Sequence, residues 1–336
     1  MIKILTNGRW EALQKPLEKF MNQVKIEGLD NYKKHYNDYD SYFLILKCIK
    51  NNKFDAVHMN CWPDLFLFTK NKNIKYIFEA HTAIPGMNFK YWNIFIENPL
   101  KKLIYILLYP IFKFFYNYKI SKVDLFYVSI PWLLDLTGSK GKWLPNPVDL
   151  SFFYKSNNSF ELDKNYINVF YPNWLRKSKN CKYALDLMYK IQWKYKKVKF
   201  YMINSHWNQG KYKEELNLIK DNIVWINTIN HSQMPNYYSA DWDLLLGSFF
   251  PEKPYAMLNM IENEAMACKA PVVCCDLNEV IFEPLENLEE LSYKIIEDKE
   301  YKNRYIERNY NYIKKVHSCE AVAKIYEKDI KNLMRK

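Results

Sequence analysis

The residue types best suited to chemistry are concentrated in the second half of the chain. Pro172-Asn173-Trp174-Leu175-Arg176-Lys177-Ser178-Lys179-Asn180 supplies three cations immediately ahead of a helical pattern. Fixed cations beside a helix N-terminus suit an anionic group such as a phosphate, because the free N–H groups and the helix dipole add to the side-chain charge. Further on, Glu262 and Glu264 fall within Pro254 to Asp276, which reads as a helix feeding into a buried strand. Positions two apart point about 200° apart on a helix. One carboxylate is therefore expected in solvent and the other toward the end of the sheet. In the first half, His81 follows a strand pattern and precedes a Pro85-Gly86 turn, while His58 lies inside a short apolar strand. A histidine at a strand end can hydrogen-bond a ligand or stabilise developing charge. Asn7-Gly8-Arg9 ends the first strand in a turn that permits left-handed backbone.

The elements needed to hold these residues alternate regularly. Strand patterns cover Ile2 to Thr6, Ala56 to Met59, Lys75 to Glu79 and Asp124 to Ser129, with helical patterns at about 10–24, 39–51, 62–71 and 99–118 between them. Pro131 opens a short helix that stops at Gly138. Trp143 to Asp149, with two prolines, breaks the rhythm and marks a domain boundary. A second alternating half follows, with strands at Ile167 to Tyr171, Val198 to Ile203, Ile223 to Asn227 and Asp243 to Gly247. The short apolar run Val272 to Cys275 suits a parallel strand covered on both faces. From Leu288 onward the pattern is helical. Strand–helix alternation of this kind predicts an α/β fold with parallel, doubly wound sheets.

Composition narrows the class. A chain of 336 residues is long enough for about two domains. Hydrophobic residues at 49% and charged residues at 26% provide for a packed core and exclude wholesale disorder. The net charge of +12 points to acidic partners: nucleotide phosphates, anionic lipid headgroups or nucleic acid. A general lysine bias accounts for the same charge. The seven cysteines are scattered without a Cys-x-x-Cys spacing, as expected of reduced, buried thiols in a cytoplasmic protein. Met1 opens directly into a strand, so no signal peptide is expected. The most apolar stretch, Leu103 to Phe115, is shorter than the roughly 20 residues a membrane span requires.

Glu264-Ala265-Met266-Ala267-Cys268-x-x-Pro271-Val272-Val273-x-x-Asp276 resembles the nucleotide-sugar segment of GT-B glycosyltransferases of family 4. Pro145-Asn146-x-Val148-Asp149 resembles the family's interdomain signature, and the stretch from His317 through Tyr326 its closing helix. The resemblance is collinear over nearly the whole chain. It implies a GT-B fold: two Rossmann-like domains facing a cleft, with a C-terminal helix crossing back to the first domain. The expected domains are 1–149 on the acceptor side, 150–310 binding the nucleotide sugar, and 311–336 as the returning helix.

The resemblance also implies an activity: a retaining, hexosyl-type transfer from a nucleotide-diphosphate sugar to a hydroxyl of a saccharide, glycan or lipid-linked acceptor. Arg176 and Lys179 would hold the donor diphosphate, with Asn7 and Gly8 nearby. Trp174 stands where the family has arginine, so Arg176 substitutes from a shifted position. Glu264 would take the ribose hydroxyls, and His81 would sit against the sugar. His58 is read as mainly structural. The family's other glutamate, with seven residues between it and Glu264, is replaced by Ala256. Glu252 and the backbone of Met257 and Leu258 are the remaining candidates for donor contact. No cofactor and no metal are expected, protein cations taking the metal's place.

Two rival readings follow from the departures. A GT-B chain lacking that glutamate can be a nucleotide- or sugar-binding protein without turnover. The positive charge also fits a transferase acting on modified nucleic acid, which ranks below a glycan or lipid-linked acceptor. The aromatic and lysine-rich stretch 89–119 is open to three interpretations: a peripheral membrane contact, a stacking surface for single-stranded nucleic acid, or a core helix with lysines directed outward.

Overall fold

The structure, a computed structural model, describes residues 1–6, 16–28, 54–60, 65, 73–81, 87, 98–137, 140–157, 159–175, 179–204, 209–249, 260–274 and 287–335. The chain divides into two compact units, Met1–Pro147 with Cys319–Lys336, and Val148–Ser318.

The first unit is built on a parallel sheet whose described strands are β1 (Ile2–Thr6), β2 (Val24–Gly28), β3 (Ala56–Met59), β4 (Lys75–Ala80), β5 (Leu125–Val128) and β6 (Gly141–Trp143). Their spatial order is β2-β1-β3-β4-β5-β6. Two short edge strands depart from the sequence expectation. The sequence pattern ends a helix at about Val24 and assigns no element to 25–28, yet Val24 and Ile26 point into the core of a strand while Lys25 is exposed and pairs with Glu27 at 3.1 Å. An edge strand tolerates this alternation, and five residues are too few to outweigh the helical pattern before them. β6 has only three residues.

Helix α1 (Pro99–Lys122) lies between β4 and β5 in the chain. Its start is fixed by Asn98, whose side chain accepts hydrogen bonds from the amides of Leu100 and Lys101, and by Pro99 at the first helical position.

The second unit carries β7 (Ile167–Tyr171), β8 (Val198–Ile203), β9 (Ile223–Ile226), β10 (Leu244–Leu246) and β11 (Val272–Val273), in the order β11-β10-β7-β8-β9 and all parallel. Its helices include α2 (Cys181–Lys194), α3 (Lys213–Ile219), α4 (Met234–Tyr238), α5 (Met260–Ala267), α6 (Leu288–Glu297) and α7 (Lys299–Tyr312). Successive strand residues serve opposite faces. Val169 and Tyr171 join one apolar cluster, whereas Phe170 joins the other. β10 divides in the same way, Leu244 and Leu246 against Leu245. A sheet buried on both faces explains why its strands read as unbroken apolar runs. On one face Trp242 stacks on Phe170 at 4.8 Å between ring centres and donates its indole N–H to the carbonyl of Tyr237.

A five-residue π-helical turn, Ile313–His317, ends α7, and α8 (Cys319–Met334) then packs on the first unit's sheet. Cys319, Val322, Tyr326, Ile330 and Leu333 recur at helical spacing and are buried with Ile4, Ile26, Ile77 and Leu144. Glu327 on the same helix accepts the amides of Asn22 and Gln23 at 2.9 and 2.6 Å. The closing helix is thereby fixed to the entrance of β2.

Candidate functional site

In a doubly wound sheet, ligands bind beyond the carboxyl ends of the strands where the strand order reverses. In the second unit that point lies between β7 and β10. From β7 the chain runs outward through β8 and β9, then returns to add β10 and β11 on the other side.

Three segments converge there. Lys179, in the loop between β7 and α2, accepts the amide of Phe249 on its carbonyl at 3.2 Å, which ties that loop to the one following β10. The amide of Ser248 donates to Glu262 Oε1 at 2.8 Å, which ties the β10 loop to α5. Gly247 makes the closeness possible. A Cβ at that position would stand 2.7 Å from Cys274 Cβ and 2.8 Å from Glu262 Cγ. Asn180, just ahead of α2, has φ 45° and ψ 48°. This is left-handed backbone, which glycine or asparagine adopts at low cost.

Glu264 Oε1 lies 3.3 Å from Nε2 of His231, a residue that follows β9. The His231 ring is held by Phe152, at 5.9 Å and nearly parallel, and by Phe153, at 5.4 Å and edge-on. The hydrogen bond to Glu264 raises the His231 pKa above its usual value, against a smaller opposing effect of burial.

Both carboxylates of α5 are buried, contrary to the expectation that one is solvated. They do point in different directions. Glu264 faces His231, whereas Glu262 turns to the β10 loop, where a backbone amide replaces water as its partner. Glu262 also lies close enough to the Tyr171 and Tyr238 hydroxyls to raise their pKa values, behind the dominant effect of burial.

Several buried polar atoms in this region have no hydrogen-bond partner among the described residues: Oδ1 and Nδ2 of Asn173, the Tyr171 and Tyr238 hydroxyls, and Oε2 of Glu262. An unpaired buried polar group costs about 1–3 kcal/mol. Such a concentration at the switch point is a feature expected of a polar ligand site.

The first unit's sheet reverses between β1 and β3. His58, paired in register with Ile77, and Glu79 lie on one face of the sheet, with His81 continuing that face beyond β4. Glu79 is buried between the two rings: Oε2 is 3.3 Å from His58 Nε2, and Oε1 is 3.7 Å from His81 Nδ1. The second distance is an electrostatic contact beyond hydrogen-bond length.

His58 Nδ1 is 3.0 Å from the Tyr326 hydroxyl of α8, and the two rings stack at 5.5 Å. Beside them Tyr127 donates to Asp329 Oδ2 at 3.1 Å, and Lys142 donates to Asp329 Oδ1 at 2.6 Å. Burial holds both tyrosines far above their usual pKa, so both remain neutral phenols. His81, with about a quarter of its side chain exposed, stands between this closed network and solvent.

Of the residues singled out from the sequence, His81, Lys179 and Glu264 are thus placed at the carboxyl ends of their sheets. Asn7, Gly8, Arg176, Glu252, Met257, Leu258 and Ala256 lie outside the described residues. Sequence reasoning missed His231 and Glu79. The signal for Glu79 is an acid in the apolar strand Ile77-Phe78-Glu79-Ala80, two positions before His81. His231 lacks a comparable local signal, because its partner is 33 residues away.

Two Asp-x-Asp triplets also bear on the metal expectation. Asp38-Tyr39-Asp40 lies outside the described residues. Asp241-Trp242-Asp243 sits at the amino end of β10, where Asp241 pairs with Lys155 at 3.1 Å and Asp243 with Lys302 at 3.5 Å. This second triplet faces lysines at the opposite end of the strand from the site.

No family model and no curated protein sequence matches this chain. Solved structures do. A glycosyltransferase from Rickettsia africae aligns over 100% of this chain and 99% of its own, at 15% identity and a TM-score of 0.65. The chain has the GT-B fold. AviGT4, a glycosyltransferase involved in avilamycin A biosynthesis, shares this GT-B architecture over 100% of this chain and 98% of its own, at 10% identity and a TM-score of 0.61. The pneumococcal O-GlcNAc transferase GtfA, solved in complex with UDP and GlcNAc, matches 89% of this chain at 12% identity and a TM-score of 0.57. The match spans 61% of that transferase. At such identities the likeness establishes the fold alone.

Proposed function

We propose that this protein is a glycosyltransferase that moves a sugar from a nucleotide-diphosphate donor to a hydroxyl of a saccharide, glycan or lipid-linked acceptor. The observation that carries the reading is Glu264: a buried carboxylate anchored by His231 at the switch point of the second sheet. A carboxylate at such a position suits the paired hydroxyls of a ribose. Lys179 and Arg176 serve the diphosphate, with Asn7 and Gly8 contributing from the first unit. Glu252, Met257 and Leu258 serve the donor sugar, and His81 lies against it. The UDP and GlcNAc bound by GtfA support the donor class.

The reaction in this reading retains configuration without a metal. The bond from the anomeric carbon to the phosphate oxygen breaks, and the acceptor oxygen bonds the same face. The acceptor proton passes to the departing diphosphate, whose charge the loop cations stabilise. The buried thiols Cys181 and Cys268 have pKa values raised by burial, Cys268 to about 12. Such buried, protonated thiols are poor nucleophiles and take no part in the transfer in this reading.

Ala256 favours a second reading, a binding protein without turnover. Thermal-shift and calorimetric titration of UDP-, GDP-, ADP- and dTDP-sugars on wild type and Glu264→Ala tests both. A donor that raises the melting temperature of wild type alone supports the site. Hydrolysis or transfer of that donor then supports the enzyme. Binding without either leaves the binding protein, and binding by the variant as tightly as by wild type removes Glu264 from the site.

A further inference from the structure

Helix α1 has an unusual distribution of side chains. Ten of the eighteen large apolar side chains that stand exposed among the described residues belong to it. Successive residues advance about 100° around a helix. On that wheel Leu100, Leu103, Leu107, Ile111, Phe114 and Tyr118 fall within about 80° of one another. They form a continuous seam about 27 Å long. Leu100, Leu107 and Phe114 are 64%, 68% and 67% exposed. The packed side lies diametrically opposite, where Tyr105, Tyr116 and Ile120 are buried. The helix is therefore anchored through one face and presents a second apolar face outward. A contiguous apolar surface of this kind marks an interaction site.

Charge identifies the occupant. The helix contains Lys101, Lys102, Lys113, Lys119 and Lys122 and no acidic residue. Two copies meeting along the seam would bring like charges together with no carboxylate to pair them, which disfavours self-association. An anionic bilayer surface satisfies both features at once, since apolar side chains enter the acyl boundary while lysines meet the headgroups. Phe114, Phe115 and Tyr118 suit the interfacial depth. No helix among the described residues is long and apolar enough to cross a membrane, so insertion here is in the plane of the interface.

We propose that α1 docks this protein onto anionic membranes, its exposed seam lying flat in the headgroup region. The inference stands on this helix alone and is independent of the glycosyl-transfer reading.

Vesicle co-sedimentation tests it, using phosphatidylcholine with and without about 30% phosphatidylglycerol, the anionic component supplying the surface potential. Wild type is expected to partition at least about tenfold more strongly onto the anionic vesicles. Leu107→Ser with Phe114→Ser should release it from both vesicle types. Lys101→Glu with Lys113→Glu and Lys122→Glu should abolish only the anionic preference and its salt dependence. All five positions are exposed, so unchanged melting temperatures are expected and serve as the folding control. Wild type remaining in the supernatant with both vesicle types overturns the proposal. Variants that bind like wild type do the same. So does a wild-type dimer, seen by light scattering, that the Leu107/Phe114 pair converts to monomer, because the seam would then be covered by a second copy.

Discussion

Glu264 on α5 and His231 beyond β9 face each other at 3.3 Å, and two phenylalanines hold the histidine ring in place. The carboxylate is buried while the imidazole is largely exposed. The pair therefore connects the interior of the second unit to its surface at the switch point of the sheet. Charge at this boundary is set by His231, whose protonated form Glu264 favours.

The His231 imidazole should titrate above its usual value of about 6.5, and Glu264→Gln should return it toward that value. Because the folded pKa is raised, the stabilising contribution is complete below about pH 6.5 and is lost as pH rises through the folded pKa. Solvent screening of so exposed a ring limits that contribution to roughly 0.5 kcal/mol. The imidazole Cε1–H resonance in a two-dimensional NMR titration reads the pKa directly. An identical midpoint in wild type and Glu264→Gln would mean the contact has no electrostatic consequence.

Tyr326→Phe should destabilise the first unit by about 1–3 kcal/mol, because it leaves a buried ring nitrogen of His58 without its phenol. The loss appears as a lower urea midpoint at unchanged slope. A midpoint within error of wild type would show that water replaces the hydroxyl.

Gly247→Ala places a methyl group 2.7 Å from Cys274 Cβ and 2.8 Å from Glu262 Cγ, so its neighbours must shift to admit it. A cost of about 1–3 kcal/mol is expected. Displacement of the Glu262 carboxylate should also expose the Ser248 amide, read as faster hydrogen exchange at that residue.

At Asn180 the order of stability should be asparagine and glycine above alanine. Asn180→Ala is expected to cost about 1–2 kcal/mol, the penalty for a Cβ in left-handed backbone. Thermal melts of the two variants decide it; equal melting temperatures for Asn180→Gly and Asn180→Ala contradict the assignment of strain.

The amino-acid sequence by itself determined the architecture. Apolar runs such as Leu244–Leu246 must be buried on both faces, and the helices between them must cover those faces, so the alternation admits a doubly wound parallel sheet. The pattern also placed Lys179 in a loop after a strand, Glu264 within a helix and His81 at a strand end, while the resemblance, and not the pattern, named them as donor-site candidates. Only the tertiary structure decided the partners. Glu79 lies between His58 and His81 because β3 and β4 pair in one particular register. Tyr326 reaches His58 from 268 positions along the chain. Glu262 is buried because a backbone amide stands where water otherwise would. Periodicity reports which face a residue occupies. Which polar group meets it there depends on strand order, register and helix docking, and no local pattern encodes those.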